Sequence, residues 1–288
     1  IIPTKNRVAI LVQLLDSIRR LGGFNRHQSE IIVADNDSMD DTYHVVSGMA
    51  KDFPTTLRVI KVTRAGKSAA VNDAVKISTG DVLAFIDDDV VVDRNWLAAV
   101  EDFFRNGQYQ AAQGVIRLPA PEKDDPEILR LLERYRTIPR LEYETDLKNV
   151  RSLNGANFFV TREGFDRTGG FDERLGPGVS GTSEDVDFAR RLIKAGITIG
   201  YAPQAIVYHR VDRARLTEEY FKQSHQRQGA SRFLLRNQSG ATIAFSLFRA
   251  AAQYGYYTAI RKERHRYRSK GRIYHYLGMM EAKQNHRR

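Results

Sequence analysis

The stretch Asp81-Val-Leu-Ala-Phe-Ile-Asp-Asp-Asp89 constrains the fold of this chain more than any other. Five consecutive apolar residues, Val82 to Ile86, run straight into three carboxylates. An uninterrupted apolar run of that length predicts a strand covered on both faces, as in a parallel sheet. In open α/β sheets the ligand crevice lies outside the carboxyl ends of such strands. Three adjacent acids there repel one another unless a cation joins them, and hard oxygen ligands suit Mg²⁺ or Mn²⁺. A solvated acidic turn is the other reading of the same residues.

The flanking pattern extends the α/β expectation. Ile1-Ile2 reads as a strand, and Val8–Leu21 as a helix stopped by Gly22-Gly23. Strand Ile31–Ala34, helix Thr42–Ala50, strand Leu57–Val62 and helix Ser68–Ile77 follow, and Asp93 is expected to cap a helix around Trp96–Phe104. Such alternation predicts a mostly parallel, Rossmann-like sheet flanked by helices. After the Pro-rich link Leu118–Pro126, a helical stretch is expected from about Glu127 to Asp146, broken near Pro139. Strand Asn157–Val160, helix Asp185–Ala195 and two short strands, Ile197–Tyr201 and Ala205–Tyr208, come next. From Thr217 onward the pattern is helical. The chain opens inside a strand pattern without an initiator Met, which leaves open a segment upstream.

Composition narrows the chemistry. With no cysteine among 288 residues, disulfides and thiolate metal sites are excluded. The net charge of +10 is concentrated: residues 261–288 hold ten Lys/Arg and two Glu, leaving 35 basic and 33 acidic side chains elsewhere. A near-neutral body argues against nucleic acid as the main ligand. No apolar run reaches the roughly 18 residues a spanning helix needs.

Several constellations stand at predicted strand ends. Asp35-Asn-Asp-Ser-Met-Asp-Asp-Thr42 follows the second strand, where an acid can bond a nucleobase or ribose; an Asx-type turn capped by Ser38 or Asp40 is the alternative. Gly66-Lys67 opens a helix that carries Asn72, which suits a phosphate or base contact as well as an ordinary solvated lysine. Gly176-Pro-Gly-Val-Ser-Gly181 has the spacing of a dinucleotide loop but not its context, and is expected to be a mobile loop beside a site. It delivers Glu184 and Asp185 to a helix start with Ser183 as N-cap, where a general base could sit. His209 ends a strand, in position for a metal ligand or a purely structural role.

Taken in order over residues 1–212, these segments resemble the family 2 glycosyltransferases of the GT-A fold. The opening Ile1–Arg7, the acidic turn Val33–Thr42, Gly66-Lys67 with Asn72, the Asp87-Asp-Asp89 triplet, Gly155-Ala-Asn157, Gly169–Asp172, Glu184-Asp185 and His209 carry the likeness. The resemblance implies a nucleotide site from Pro3, Thr4, Arg7, Asp35, Asp37, Lys67, Asn72, Asp87 and Asp88, with Asp35 on the base and Asp87 on the ribose or metal. It implies Mn²⁺ or Mg²⁺ held by Asp89, Asp87 and His209, and an acceptor side at Gly155 and Asn157. Asp185 is then the base that deprotonates the acceptor, with Glu184 beside it. Asp37 departs from the Gly common at that place. The Gln-x-x-Arg-Trp signature of processive synthases is missing, since Gln223–Gly229 lacks the Trp, which implies transfer of one sugar at a time.

The expectation is therefore an inverting, metal-dependent transferase. It uses a nucleotide-sugar donor, a UDP-sugar by resemblance, and a glycan or lipid-linked acceptor. Residues 1–115 form the nucleotide-sugar half, 116–212 the acceptor half and 213–288 a basic helical extension. Aromatic residues between Ile243 and Ile260, followed by Tyr267, Tyr274 and Tyr276 in the basic tail, predict contact with an anionic membrane surface. That implies a cytoplasmic protein peripheral to the inner face of a membrane. A helix packed on the body is the alternative for the tail, and a non-catalytic anionic-surface or nucleic-acid binder the alternative for the whole chain.

Overall fold

The computed structural model describes residues 1–24, 29–143 and 150–286. In chain order it contains β1 (Ile2–Thr4), α1 (Val8–Arg19), β2 (Glu30–Asp35), α2 (Thr42–Met49), β3 (Thr56–Lys61), α3 (Lys67–Ile77), β4 (Val82–Phe85), β5 (Val90–Val92), α4 (Trp96–Phe104) and β6 (Ala111–Arg117). These are followed by α5 (Pro126–Tyr135), β7 (Phe158–Thr161), α6 (Arg162–Thr168), α7 (Glu184–Lys194), β8 (Ile199–His209), α8 (Glu218–Leu235), α9 (Gly240–Ala259) and α10 (Glu263–Asn285). Two compact units result: Ile1–Pro119 with Pro139–Arg174 and Glu184–Arg210, and Ala120–Ile138 with Leu175–Ser183 and the chain from Val211 onward.

In the first unit β1, β2 and β3 pair in parallel, in the order β1-β2-β3. The Ile1 amino group donates to the Ala84 carbonyl at 2.8 Å, and the Ile86 N–H donates to the Ile1 carbonyl at 3.3 Å. That slanted exchange is the pattern of a parallel pair, so β4 continues the parallel run beside β1. A second sheet has the order β4-β7-β6-β8-β5, with β6–β8 parallel and the other three pairs antiparallel. The α/β expectation holds, and the antiparallel pairs enter where β7 returns between β4 and β6. Strand β7 shows how both faces fill: Phe158 packs with Phe165, Phe171 and Phe188, while Phe159 packs with Leu11, Leu15 and Trp96. On α1, Leu11, Leu14, Leu15 and Ile18 have helical spacing and are all buried against that second face.

Several local expectations are corrected. Ile197–Tyr201 and Ala205–Tyr208 are not two strands: β8 runs unbroken through them. Pro203 and Gln204 are accommodated because the pairing with β6 jumps from Gly114↔Ala202 to Val115↔Ile206. A bulge tolerates a proline that a regular ladder cannot. Asp93 does not cap α4; its carboxylate takes the Asn95 N–H and its carbonyl the Trp96 N–H, forming a turn before the helix. The helix after the Pro-rich link ends at Tyr135, with Arg136 in a left-handed cap; residues 144–146 of the expected stretch lie outside the described residues.

The second unit is helical. Asp125 accepts the N–H groups of Glu127 and Ile128 to cap α5, with Pro126 in the first turn. Helices α8 and α10 approach closely through glycines: a Cβ on Gly229 would fall 1.9 Å from the His275 carbonyl oxygen, and one on Gly278 2.1 Å from that of Gln226. The Gly176–Gly181 segment is a docked turn instead of a free loop. Gly181 bonds back to Gly176 at 2.7 Å, and Ser231 of α8 holds the Ser180 hydroxyl at 2.8 Å. Ser183 has φ of 80°, a left-handed backbone unlike that of an N-cap residue. Tyr267 and Tyr274, expected at a membrane surface, turn inward against Phe221. Among the described residues no helix is long and apolar enough to cross a membrane.

Gly229→Ala must push α8 off α10, so urea unfolding should show a loss of about 1–3 kcal/mol. Gly240→Ala is the control: its Cβ would meet nothing nearer than 3.7 Å, and it should be neutral or slightly stabilising. Equal stability for both variants would contradict the close crossing.

Candidate active site

Parallel pairing places the ends of β1, β2 and β4 side by side, with Thr4 opposite Asp35 and Asp87-Asp-Asp89 just beyond β4. The loops after these strands are stitched together. Asn6 donates its N–H to the Ser38 hydroxyl at 2.9 Å and accepts from the Met39 N–H at 2.6 Å, while Asp40 accepts from the Val8 N–H at 3.2 Å. Asp37 has φ of 58°, so it holds the left-handed backbone that a Gly would supply at no cost. Asp35 is 1% exposed; one carboxylate oxygen takes the Ser38 N–H at 3.0 Å, and the other is buried with no hydrogen-bond partner among the described residues. A buried carboxylate oxygen left this way is poised for a donor from outside the chain.

The three acids after β4 have different sets of partners, with Arg7 shared by Asp88 and Asp89. Asp87 meets the Lys67 ammonium at 2.5 Å. Asp88 accepts from the Thr4 hydroxyl at 2.8 Å and from Arg7 at 2.9 Å. Asp89 lies 3.3 Å from Arg7 and 3.3 Å from Nε2 of His209. Part of the repulsion that argued for a metal is thus relieved by the chain's own cations. Burial pushes the Asp88 carboxyl up to about 6, with Arg7 opposing and Asp89 reinforcing the shift. Being 5% exposed with both oxygens committed, Asp88 is not open to a nucleotide as expected; it fastens the β1–α1 turn to the end of β4.

His209 reaches Asp89 because β5 pairs antiparallel with β8, setting Val90 opposite His209. Its Nδ1 donates to the Arg210 carbonyl oxygen at 2.8 Å, so Nε2 is the nitrogen turned toward Asp89, and in the tautomer protonated only at Nδ1 it is an acceptor. Across from it stands an oxygen of Asp89, also an acceptor. A carboxylate and an imidazole that face each other this way form a donor set that fits a divalent cation. Among the described residues no group of three or more His, Asp or Glu side chains gathers around one point, so the protein would supply only part of a coordination shell.

Glu184 and Asp185 open α7 on the other side of Lys67. The lysine Nζ lies 3.3 Å from Glu184, joining it to Asp87. Burial pulls its pKa down, but Asp87 and Glu184 outweigh that and the net shift is upward, so the ammonium stays charged. Gly155 leaves room for this bridge, since a Cβ there would come within 2.7 Å of Nζ and displace it. The Gly155 N–H also donates to Asp185 at 2.9 Å, and Val186 donates to the other oxygen at 2.7 Å. Glu184 is buried whereas Asp185 stays partly exposed. Burial and the neighbouring Glu184 push the Asp185 carboxyl up to about 7, against the pull of Lys67 and the two N–H groups. Pro3 lines the same small cavity as Lys67, Gly155, Glu184 and Asp185.

Two expected site residues are structural. Asn72 spends its amide on the Phe171 backbone, donating at 2.9 Å and accepting at 2.8 Å. That fixes Phe171, which stacks on Phe188 of α7 at 4.6 Å and so steadies the helix carrying the acids. Asn157 is fully buried, not on the acceptor side. Its amide donates to Val115 and Ala205 carbonyls, and its oxygen accepts from the Trp96 indole at 3.0 Å. The sequence reading missed Asn36, which bonds Val62 and Arg64 carbonyls and the Gly66 N–H and so sets the approach to Lys67. It also missed Gln113, whose side chain takes the Asn154 N–H at 2.7 Å and braces the turn before Gly155.

Residues 1–169, more than half of the chain, match the family described as Glycosyl transferase family 2, and the chain belongs to that family. Succinoglycan biosynthesis protein ExoM of Rhizobium meliloti (strain 1021) is 27% identical over 259 residues, covering 85% of this chain and 78% of that protein. Beta-monoglucosyldiacylglycerol synthase of Nostoc sp. is 25% identical over 194 residues, which is 67% of this chain but only 40% of that protein. Among solved structures, mannosyltransferase PcManGT of Pyrobaculum calidifontis, in complex with GDP-Man and Mn²⁺, superposes with a TM-score of 0.67 at 19% identity, covering 99% of this chain and 86% of that one. S. aureus TarS 1–349 in complex with UDP-GlcNAc gives 0.59 at 14% identity, with 99% and 90% covered. At those identities the structures speak for the GT-A fold. The protein is a glycosyltransferase with a nucleotide-sugar donor, and nothing in these comparisons favours a nucleic-acid binder.

The raised Asp185 pKa has a definite sign for stability. Below about pH 4 the group is protonated whether folded or unfolded, and its burial carries no charge penalty. As pH rises towards about 7, the unfolded chain ionises first and the folded state loses stability. Asp185→Asn should remove that dependence, so its melting temperature should gain on the wild type progressively from pH 4 to 7. A constant difference across that window would contradict the raised pKa.

Proposed function

We propose that this glycosyltransferase moves one sugar at a time from a nucleoside diphosphate donor to an acceptor hydroxyl by direct displacement, inverting the anomeric centre, with Asp185 as the base. The observation that carries this reading is the Lys67 ammonium between Asp87 and Glu184, which sets the base of α7 directly across from the acids of β4. Asp185 is favoured over Glu184 because it is the more exposed of the two and its pKa is raised to about 7, a value suited to a general base. Its backbone bonds to Gly155 and Val186 hold the carboxylate in place while it draws the hydroxyl proton. The unpaired oxygen of Asp35 would receive a donor from the base or ribose.

Asp89 and His209 would hold Mn²⁺ or Mg²⁺ with oxygens of the donor diphosphate as further ligands, whereas Asp87, expected as a third protein ligand, is engaged by Lys67. Such an ion stabilises the charge that develops on the departing diphosphate. The Mn²⁺ in the complexes of PcManGT and of GalNAc-T7 supports this use of the site. Both a UDP-sugar and a GDP-sugar appear among the solved relatives, and UDP remains our choice from the family resemblance. The relatives named for succinoglycan biosynthesis and for a glucosyldiacylglycerol support a glycan or lipid-linked acceptor.

With a panel of nucleotide sugars, one donor should be turned over with Mn²⁺ or Mg²⁺ and not in excess EDTA, and Asp89→Ala should abolish turnover in a folded protein. Asp185→Asn should keep donor binding and lower transfer about 10²–10⁴-fold. In the wild type, transfer should rise with pH through about 7 as Asp185 ionises. Full activity in EDTA would remove the metal from the scheme. A product of retained configuration would remove the displacement, and a severe Glu184→Gln with a mild Asp185→Asn would reassign the base.

A further inference from the structure

Helix α9 is the least covered of the long helices in the second unit. Only Ile243 and Ala250 are buried along its 20 residues, and Ile243 packs with Phe233 and Met279. On its outer side Phe245 is 66% exposed, Phe248 72% and Tyr256 62%, and Ile260 just beyond the helix is 42% exposed. These four are a large share of the eleven strongly exposed large apolar side chains in the described residues. Phe245, Phe248 and Tyr256 recur at helical spacing, with Ala252 between them and Ala241 one turn before, so they form one stripe. Such a concentration is unlike scattered surface hydrophobics, which need no explanation.

The rim of this stripe is basic. Arg249 is the only charged side chain in α9, and Arg261, Lys262 and Arg268 of the following turn and helix are exposed, while Arg264 lies 3.8 Å from Glu133 of α5. Arg272, also exposed, lies along the same groove, donating to Gln253 of α9 at 3.0 Å. No acid lies in α9, while Glu263 at the start of α10 is taken up by Arg134 of α5. A second copy of the chain is disfavoured as the occupant, because stacking two such stripes brings two basic rims together. The helix is too polar to cross a bilayer. An apolar stripe with exposed Phe and Tyr, edged by Lys and Arg, suits the headgroup region of an anionic membrane.

We infer that α9 docks flat on an anionic lipid bilayer, with Phe245, Phe248 and Tyr256 in the acyl–headgroup boundary and the basic rim on lipid phosphates. The apolar contact supplies most of the binding; the rim supplies selectivity for anionic lipid and salt sensitivity, since such charges are screened beyond about 10 Å at moderate ionic strength. Docking is independent of sugar-transfer chemistry, so it can fail while transfer to a soluble acceptor persists, and the reverse.

The experiment is co-sedimentation of the full chain with phosphatidylcholine vesicles, with and without phosphatidylglycerol, at low and high salt. Wild type should bind the phosphatidylglycerol vesicles more tightly than phosphatidylcholine alone and lose that difference at high salt. Phe245→Ser with Phe248→Ser should weaken binding about a hundredfold without changing the urea midpoint, because both side chains are exposed. Arg249→Gln with Arg268→Gln should weaken binding to anionic vesicles about tenfold or more. Equal binding to both lipid compositions, or wild-type binding by the double Phe variant, would overturn the inference. So would a stable dimer in sedimentation velocity that the double Phe variant converts to monomer, which would assign the stripe to a second copy.

Discussion

One ammonium group organises the site. Lys67 stands at the start of α3 with Asp87 at 2.5 Å and Glu184 at 3.3 Å, so it joins acids that come from β4 and α7, nearly a hundred residues apart. Without a cation there, Asp87 and Glu184 would face each other across a largely dehydrated gap, which costs far more than a solvated pair. Residue 155, having no side chain, leaves room for the ammonium, since a Cβ there would displace it. Gly155 then does a second job, since its N–H holds Asp185. The charge that balances the donor side and the backbone that aims the base thus meet at one glycine.

Behind that contact lies a shell of buried polar residues that touch no reacting group. Asn157 ties β6, β8 and Trp96 together, Gln113 braces Asn154, and Asn36 sets the turn before Lys67. Asn72 reaches α7 indirectly through Phe171 and its stack on Phe188. Asn36, Gln113 and Asn157 are buried amides with their donors and acceptors used, which makes them costly to displace, and Asn72 is half-buried. Rigidity of this kind lets a partly exposed carboxylate such as Asp185 keep a raised pKa without collapsing onto Lys67.

The acidic triplet after β4 shows why a motif and its chemistry differ. Read in a line, Asp87, Asp88 and Asp89 look like one cluster of metal ligands. In the fold they diverge, with Asp88 buried under Thr4 and Arg7, Asp87 on Lys67, and Asp89 against His209. Only the last pair leaves two acceptors facing each other, and it exists because β5 sets Val90 beside His209.

By itself the sequence determined the α/β class, the parallel first half, the helix boundaries of α1 to α3, and the acids at 87–89 and 184–185. These depend on local periodicity and strand ends, which a linear pattern carries. The family resemblance added the order of the motifs. Strand β6 went unseen although it is buried and lies between β7 and β8, because Ala111-Ala-Gln-Gly114 has neither an apolar run nor alternation. Strand β5 was hidden inside the three valines after the acids, and β8 was split by Pro203, whose bulge only its partner strand could absorb. The division of labour among acids and amides was decided by tertiary structure alone. Whether a carboxylate or an amide is a ligand or a brace depends on which distant donors pack against it, and no local spacing encodes that.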